Sequence, residues 1–339
     1  MSKTSVSAII TTYNRADIVP KAVKSALNCC QDDDEVIVVD DCSEDNTQQS
    51  LAQFGDKIKY IRLDQNSGPS AARNIGIDSS RNSLIAFLDD DDEWIKENFK
   101  LRKEVMNAYP KAIYSFSNFS TKYSNGKITR NCLFNWGHEI TDWEQIIGKG
   151  IKYSSITHLP EDIHDFYVYF GSIYRSQMND DHVLPSTMFV RRELAGDQIY
   201  FDINMRLQES WQYSSKLARI APVAYLDTST TWQNEYQVPR LTETTNLKRY
   251  NAQIHVLENQ WGKDQEFLKN FSQAYLCRID TERKKRIKEY LALGCPKEAK
   301  EDIARVHSAV PKSFKILANL PPELLKTVMS LRMKLKGHF

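Results

Sequence analysis

Residues 84–94 read LIAFLDDDDEW: five apolar residues, Leu84 to Leu88, run directly into four carboxylates, Asp89 to Asp92. An apolar run of this length without alternation suits a strand covered on both faces. The polarity changes at its C-terminal end, which in an open α/β sheet is where ligands bind. Upstream the same pattern recurs. Ser5 to Thr11 is an apolar, β-branched run that ends in Thr11-Thr12-Tyr13-Asn14, and Glu35 to Val39 is another, ending in Asp40-Asp41-Cys42-Ser43. Between them Asp17 to Leu27 has helical spacing, with Ile18, Ala22 and Leu27 near one face. Ser43 reads as an N-cap with Glu44 and Asp45 in a first turn. Lys57 to Leu63 alternates as a third strand, Pro69 suits the first position of a helix to about Asp78, Ser83 to Leu88 is the fourth strand, and a helix spans about Glu93 to Tyr109 before Pro110. This β-α-β-α order predicts an α/β fold, a Rossmann-like and mostly parallel sheet with helices on both faces.

Three polar clusters fall at the predicted strand ends. Four adjacent carboxylates repel one another. Strand alternation would place Asp89 and Asp91 on one side, where a divalent cation bridging them to a diphosphate would relieve the repulsion; Mg²⁺ and Mn²⁺ favour such oxygen donors. The alternative is an exposed acidic turn, with Asp92 capping the next helix. At Asp40-Asp41 one carboxylate would accept a hydrogen bond from a nucleobase imide or a ribose hydroxyl, with Tyr13 stacking on the base and Thr11 adding a polar contact; the alternative is strand-end solubility and capping. In residues 66–76, NSGPSAARNIG, Gly68 permits a tight turn and Ala71, Ala72 and Gly76 keep the helix slim. Arg73 is one turn in, where its donor fork suits a diphosphate or a base, or where it is a surface arginine on a packed helix.

From Tyr114 to about Tyr200 the pattern loosens into aromatic and Asn/Ser-rich sequence with short strand-like runs such as Ser186 to Val190; Gln208 to Ile220 is helical, and from about Thr242 the chain is mainly helical, with breaks near Gly294, Pro311 and Pro321-Pro322. Lys and Arg number 45 against 44 Asp and Glu, so there is no basic footprint for a general nucleic-acid partner. No apolar stretch approaches the roughly 20 residues that span a bilayer, and residues 1–15 lack a signal-peptide pattern. The six cysteines form no CxxC pair and suit free thiols in a reducing cytoplasm. His158 and His164 have no ligand spacing and read as solvated loop residues.

Taken together, the motifs resemble those of the family 2 glycosyltransferases with the GT-A fold. SVSAIITTYNR (5–15) looks like that family's first strand and nucleotide loop; VIVVDDCSEDNT (36–47) is similar to its VDDGSxD motif, with Cys42 where glycine is common; NSGPSAARNIGI (66–77) and LIAFLDDDDEW (84–94) resemble its NxGxxxARNxG segment and its FLDxDD metal motif. FDINMRLQESWQYSSKLAR (201–219) is similar to the acceptor-side helix, and the likeness covers about residues 5 to 235. It implies a GT-A domain over 1–240, with a nucleotide-binding half (1–110) and an acceptor half (111–240), ahead of a helical C-terminal region over 241–339.

The resemblance further implies an inverting transfer from a nucleoside-diphosphate sugar, with UDP the nucleotide the family points to, and a Mn²⁺ or Mg²⁺ cofactor. The acceptor would be a hydroxyl of a glycan or lipid-linked saccharide in surface polysaccharide synthesis. Carried over by motif, Thr11, Tyr13 and Asp41 would hold the nucleoside, Arg73 would sit close to the nucleotide, Asp89 would approach the ribose and Asp91 would bind the metal. The family's acceptor helix opens Glu-Asp, with a carboxylate as general base, whereas this one opens Glu209-Ser210. Glu209 is therefore the candidate base, with Asp180 and Asp181 next. The departure also motivates a rival reading, a nucleotide-sugar-binding module that has lost catalysis. A nucleotidyltransferase is disfavoured because strand one is not followed by a glycine-rich, lysine-containing loop. In the C-terminal segment Leu324, Val328, Leu331 and Leu335 form a helical stripe among Lys326, Arg332, Lys334 and Lys336. That fits either peripheral contact with the inner face of the cell membrane or packing on the protein or a second subunit.

Overall fold

The computed structural model describes residues 4–31, 33–135, 142–235 and 244–336. It divides into two compact units, Met1–Val238 and Pro239–Phe339. The first holds one sheet of eleven strands: β1 (Val6–Thr12), β2 (Glu35–Asp40), β3 (Lys59–Arg62), β4 (Leu84–Asp89), β5 (Asp92–Trp94), β6 (Tyr114–Lys122), β7 (Ile128–Thr129), β8 (Ile151–Lys152), β9 (Tyr167–Gly171), β10 (Phe189–Arg191) and β11 (Val223–Asn234). They lie in the order β3-β2-β1-β4-β10-β6-β11-β9-β8, with β5 on β11 and β7 on β6. β3, β2, β1 and β4 are all parallel, β10 is antiparallel to both neighbours, and β6 and β11 are again parallel. The order reverses at β1, which lies between β2 and β4, and this opens a crevice at its C-terminal end.

β2 shows how the layers form. Val36 and Val38 join a core with Val19, Ala22, Val23 and Ala26 of the Val19–Cys29 helix and with Phe99, Val105 and Met106 of the Asn98–Ala108 helix. Ile37 and Val39, pointing the other way, pack on Ala72 of the Pro69–Ser79 helix. Burial on both faces is what the unalternating apolar runs predicted. Gly76 lets the Pro69–Ser79 helix lie close to β1: a Cβ there would stand 2.3 Å from Ile9 Cγ2.

Several local expectations are corrected. Ser43 does not cap a helix; its Oγ accepts from the Asn14 N–H (2.9 Å), and the next helix, Thr47–Leu51, begins after Asn46. The helix expected from Glu93 begins at Asn98, because Asp92–Trp94 is a strand paired with Thr231, Trp232 and Gln233 of β11. Asp92 is therefore buried in a sheet rather than capping a helix. Of the run from Ser186 to Val190, the first residues form a 3₁₀ turn (Pro185–Thr187), and the strand is Phe189–Arg191.

The second unit is helical: Asn246–Val256, Gln265–Ala292, Pro296–Arg305, Lys312–Ala318 and Pro322–Lys336. The breaks fall at Gly294, which takes φ +72°, at Pro311 and ahead of Pro322. Leu325 and Met329 of the last helix pack on Ile287, Leu291, Ala299 and Ala318. The packed face is thus not the stripe read from the sequence: Leu324 and Leu331 are 49% and 57% exposed, and the side chain of Leu335 lies outside the described residues.

Candidate active site

The parallel registers set Thr12 beside Asp40 and Thr11 beside Asp89, so the three motif-bearing strands end at one level. The loops beyond them are laced together. The Asn14 N–H donates to Ser43 Oγ, the Glu44 N–H to Asn14 Oδ1 (2.8 Å), the Ala16 N–H to Asp45 Oδ2 (2.9 Å) and the Asp41 N–H to the Thr12 carbonyl (2.9 Å). Asn14 takes φ +53° to make this crossing, and Tyr13 projects from it 42% exposed.

The two aspartates of the second strand end differ. Asp40 is fully buried, accepting from the Ser43 N–H (2.8 Å) and the Tyr60 hydroxyl (2.6 Å), and is a structural brace. Asp41 accepts from the N–H groups of Ser67 (2.7 Å) and Gly68 (2.8 Å) and so fixes the loop ahead of Arg73. Burial raises its pKa, and the two N–H bonds oppose that rise. Cys42 sits at φ +66°, a left-handed conformation that favours glycine.

The acidic turn is built differently from the strand alternation expected for it. The chain turns at Asp90-Asp91 before entering β5, so Asp89 and Asp91 do not share a partner. Asp89 accepts from Arg73 Nη2 at 2.8 Å, whereas Arg15 Nη1 donates to both Asp90 Oδ1 (3.0 Å) and Asp91 Oδ2 (2.9 Å). Desolvation pushes the Asp90 carboxyl up to about 7 despite Arg15, and Asp91 adds to the rise. Asp92 is pushed well above the usual carboxylate range by burial and by its neighbours Asp91 and Asp89. The Asn234 amide steadies the turn from β11, donating to the Asp91 carbonyl (3.0 Å) and to Glu93 Oε1 (3.1 Å).

Arg73 joins this turn to the helix Glu209–Ile220. It is buried, pairs with Asp89 and with Glu209 Oε1 (Nη1, 3.3 Å), and lies over the Phe201 ring, 5.2 Å from its centroid. Gln208, at φ +60°, turns the chain so that Glu209 opens the helix. The segment carrying Asp180 and Asp181 is pinned to the same helix by Trp211 Nε1 donating to the Gln177 carbonyl (2.6 Å). Desolvation raises Asp181 to about 7; the charges of Glu209 and Asp180 add to this and the Val183 N–H opposes it.

Arg73, Asp89 and Glu209 thus converge, with Thr11 beside Asp89 in the sheet and Tyr13, Asp41 and Asp91 on adjoining loops. The sequence reading missed Arg15, Ser186, whose Oγ accepts from the Asp89 N–H (3.1 Å), and Asn234. Arg15 could have been found, since it ends the quoted first motif; the other two come into place only through the sheet. For a divalent cation the donor set fits in kind: hard carboxylate oxygens carrying more negative charge than the paired arginines offset. No group of three or more His, Cys, Asp or Glu among the described residues surrounds a common point.

A family model, "Glycosyl transferase family 2", matches residues 7–192, more than half of the chain. The chain belongs to glycosyl transferase family 2. Glu209 lies beyond the matched stretch. Over 207 residues the chain is 30% identical to the succinoglycan biosynthesis protein ExoO of Rhizobium meliloti (strain 1021), covering 61% of this chain and 53% of that one. Over 93 residues it is 43% identical to the GalNAc(5)-diNAcBac-PP-undecaprenol beta-1,3-glucosyltransferase of Campylobacter jejuni, covering 26% and 30%. It spans about half, or less, of the length of the first curated relatives it matches. Among solved structures, residues 1–349 of S. aureus TarS, crystallised with UDP-GlcNAc, superpose with a TM-score of 0.57 at 20% identity, covering 98% of this chain and 92% of that one. That likeness concerns the fold, which is the GT-A sheet of this family.

Proposed function

We propose that this family 2 member is an inverting glycosyltransferase. It moves a sugar from a nucleoside-diphosphate sugar, with UDP the nucleotide, to a hydroxyl of a glycan or lipid-linked saccharide in surface polysaccharide synthesis. The observation that carries this reading is the Asp89–Arg73–Glu209 bridge, which puts the donor-side acidic turn and the opening carboxylate of the acceptor helix on one buried guanidinium. Tyr13 stacks on the base, Thr11 and Asp41 contact the nucleoside, and Asp89 approaches the ribose while Arg73 fixes its rotamer. Mn²⁺ or Mg²⁺, held by Asp91, would neutralise charge developing on the departing diphosphate. Glu209 takes the acceptor hydroxyl proton as the new C1–O bond forms and the C1–O bond to phosphate breaks. The acceptor class is supported by relatives whose names carry diphosphoundecaprenol-linked saccharides. We place the chain in the cytoplasm, as one domain to about residue 240 and a helical region after it, with the exposed Leu324 and Leu331 touching the inner face of the membrane.

Incubation with a panel of nucleotide sugars, with and without Mn²⁺, tests the reaction, with free and transferred sugar read by mass spectrometry. Asp91→Asn should remove most metal-dependent nucleotide binding. Glu209→Gln should lower transfer by ~10²-fold or more with donor affinity nearly unchanged. Full transfer by Glu209→Gln would move the base to Asp181. Ser210 in place of the family's aspartate favours the second reading, a nucleotide-sugar-binding module. Binding without hydrolysis or transfer in wild type, restored by Ser210→Asp, would establish that one instead.

A further inference from the structure

Arg15 has no task in the reaction just described, yet among the described residues it is the cation paired with both Asp90 and Asp91. Arg73, the nearby alternative, is committed to Asp89 and Glu209. The backbone around Arg15 is held at every residue. Asn14 and Ala16 donate to Ser43 and Asp45, and the Arg15 carbonyl accepts from the N–H groups of Ile18 and Val19 (3.1 Å each) at the start of the Val19–Cys29 helix. The loop is thus fixed, and from it the guanidinium reaches Asp90 and Asp91. While it stays, it screens the mutual repulsion of Asp89 to Asp92, which is the service a divalent cation would give.

We propose that Arg15 is a resident counter-ion that competes with the divalent cation for Asp91, so that the protein binds metal well only together with a diphosphate. A guanidinium and a dication cannot share one carboxylate without strong repulsion. Arriving with the donor, the diphosphate offers the displaced arginine a new acidic partner, for which its donor fork is well suited. Metal and nucleotide then bind with positive coupling, and the coupling is reciprocal. This inference rests on the reading of Asp91 as the metal ligand.

The test is Mn²⁺ binding to the full chain, followed by electron paramagnetic resonance with and without UDP. Wild type should bind Mn²⁺ weakly alone and much more tightly with UDP. Arg15→Gln should bind Mn²⁺ alone at least tenfold more tightly than wild type, and UDP should improve it less. Arg15→Lys, which keeps the charge, should stay near wild type. A merely structural loss would weaken metal binding, the opposite direction. Equal or weaker Mn²⁺ binding by a folded Arg15→Gln overturns the proposal. Arg15→Met, which keeps the packing of the stem, stands in if the glutamine variant does not fold; failure of both to fold makes Arg15 a structural clamp and overturns the proposal as well. Asp91→Asn separates the two readings: if it binds Mn²⁺ as wild type does, the metal assignment has failed rather than the competition.

Discussion

Replacing Arg73 by methionine keeps the side-chain length and removes the charge. Asp89 and Glu209, at 2.8 and 3.3 Å from the guanidinium, then face each other without a cation between them. At an effective dielectric of ~20, each contact is worth roughly 5 kcal/mol before desolvation is subtracted, and truncating one partner of a buried pair typically costs ~3–5 kcal/mol. Asp89 is 31% exposed and Glu209 17%, so water recovers part of the loss. The expected cost is ~2–4 kcal/mol, or a fall in Tm of about 4–16 °C for a unit of this size. Charge is the cause, so Arg73→Met/Glu209→Gln should be less destabilised than the two single effects summed, with a coupling of ~1 kcal/mol or more. Urea denaturation of the four proteins at pH 8 gives the cycle. A fall in Tm under 2 °C for Arg73→Met, or a coupling near zero, would refute the claim that this arginine holds the two halves of the site by charge.

Cys42→Gly should stabilise the protein by about 0.5–1 kcal/mol, since a side chain at φ +66° costs ~1–2 kcal/mol and glycine returns ~0.5–1 of that as unfolded-state entropy; a higher Tm by calorimetry checks it. Asp181 is neutral more readily in the folded chain, so the stability it contributes is full below pH ~4 and is lost as pH rises to about 7. Asp181→Asn should therefore melt higher than wild type at pH 8 and alike at pH 4, at up to ~1.4 kcal/mol for each pH unit between; equal melting at pH 8 would count against the buried charge. Leu324→Ser/Leu331→Ser changes only exposed apolar residues and should reduce flotation with phosphatidylglycerol vesicles while leaving Tm unchanged.

Three of the strands legible in the sequence, β1, β2 and β4, are buried on both faces and announce themselves as apolar runs, whereas β3, exposed at both ends, was legible from its alternation. β6 was not, although all but its last residue is buried. Tyr114 and Phe116 alternate with Ser115 and Ser117, but Asn118 breaks the alternation ahead of Phe119, and two of the polar residues are satisfied across the sheet, Ser117 by Thr230 (2.6 Å) and Ser120 by Ser229 (2.8 Å). Such pairing leaves no hydrophobic period to read. β5 was missed because three residues between an acidic run and a helix carry no period, and only β11, more than a hundred residues later, makes them a strand. The site was legible where a motif names a residue and obscure where a partner does. Arg73, Asp89 and Glu209 could each be nominated, but their joining depends on the packing of distant elements.

The hold of Asn234 on the acidic turn bears on where this chain can be joined to a relative's. The recognisable stretch ends at residue 192, and a crossover there looks harmless by sequence. It would nevertheless take the turn at Asp91 and Glu93 from one parent and the amide that steadies it, together with the strand that makes β5, from the other. Hybrids with relatives should therefore be joined after Asn234, or carry residues 89–94 and 223–234 as one inherited block. Acceptor preference, if it resides in the intervening segments, is then the property free to change hands.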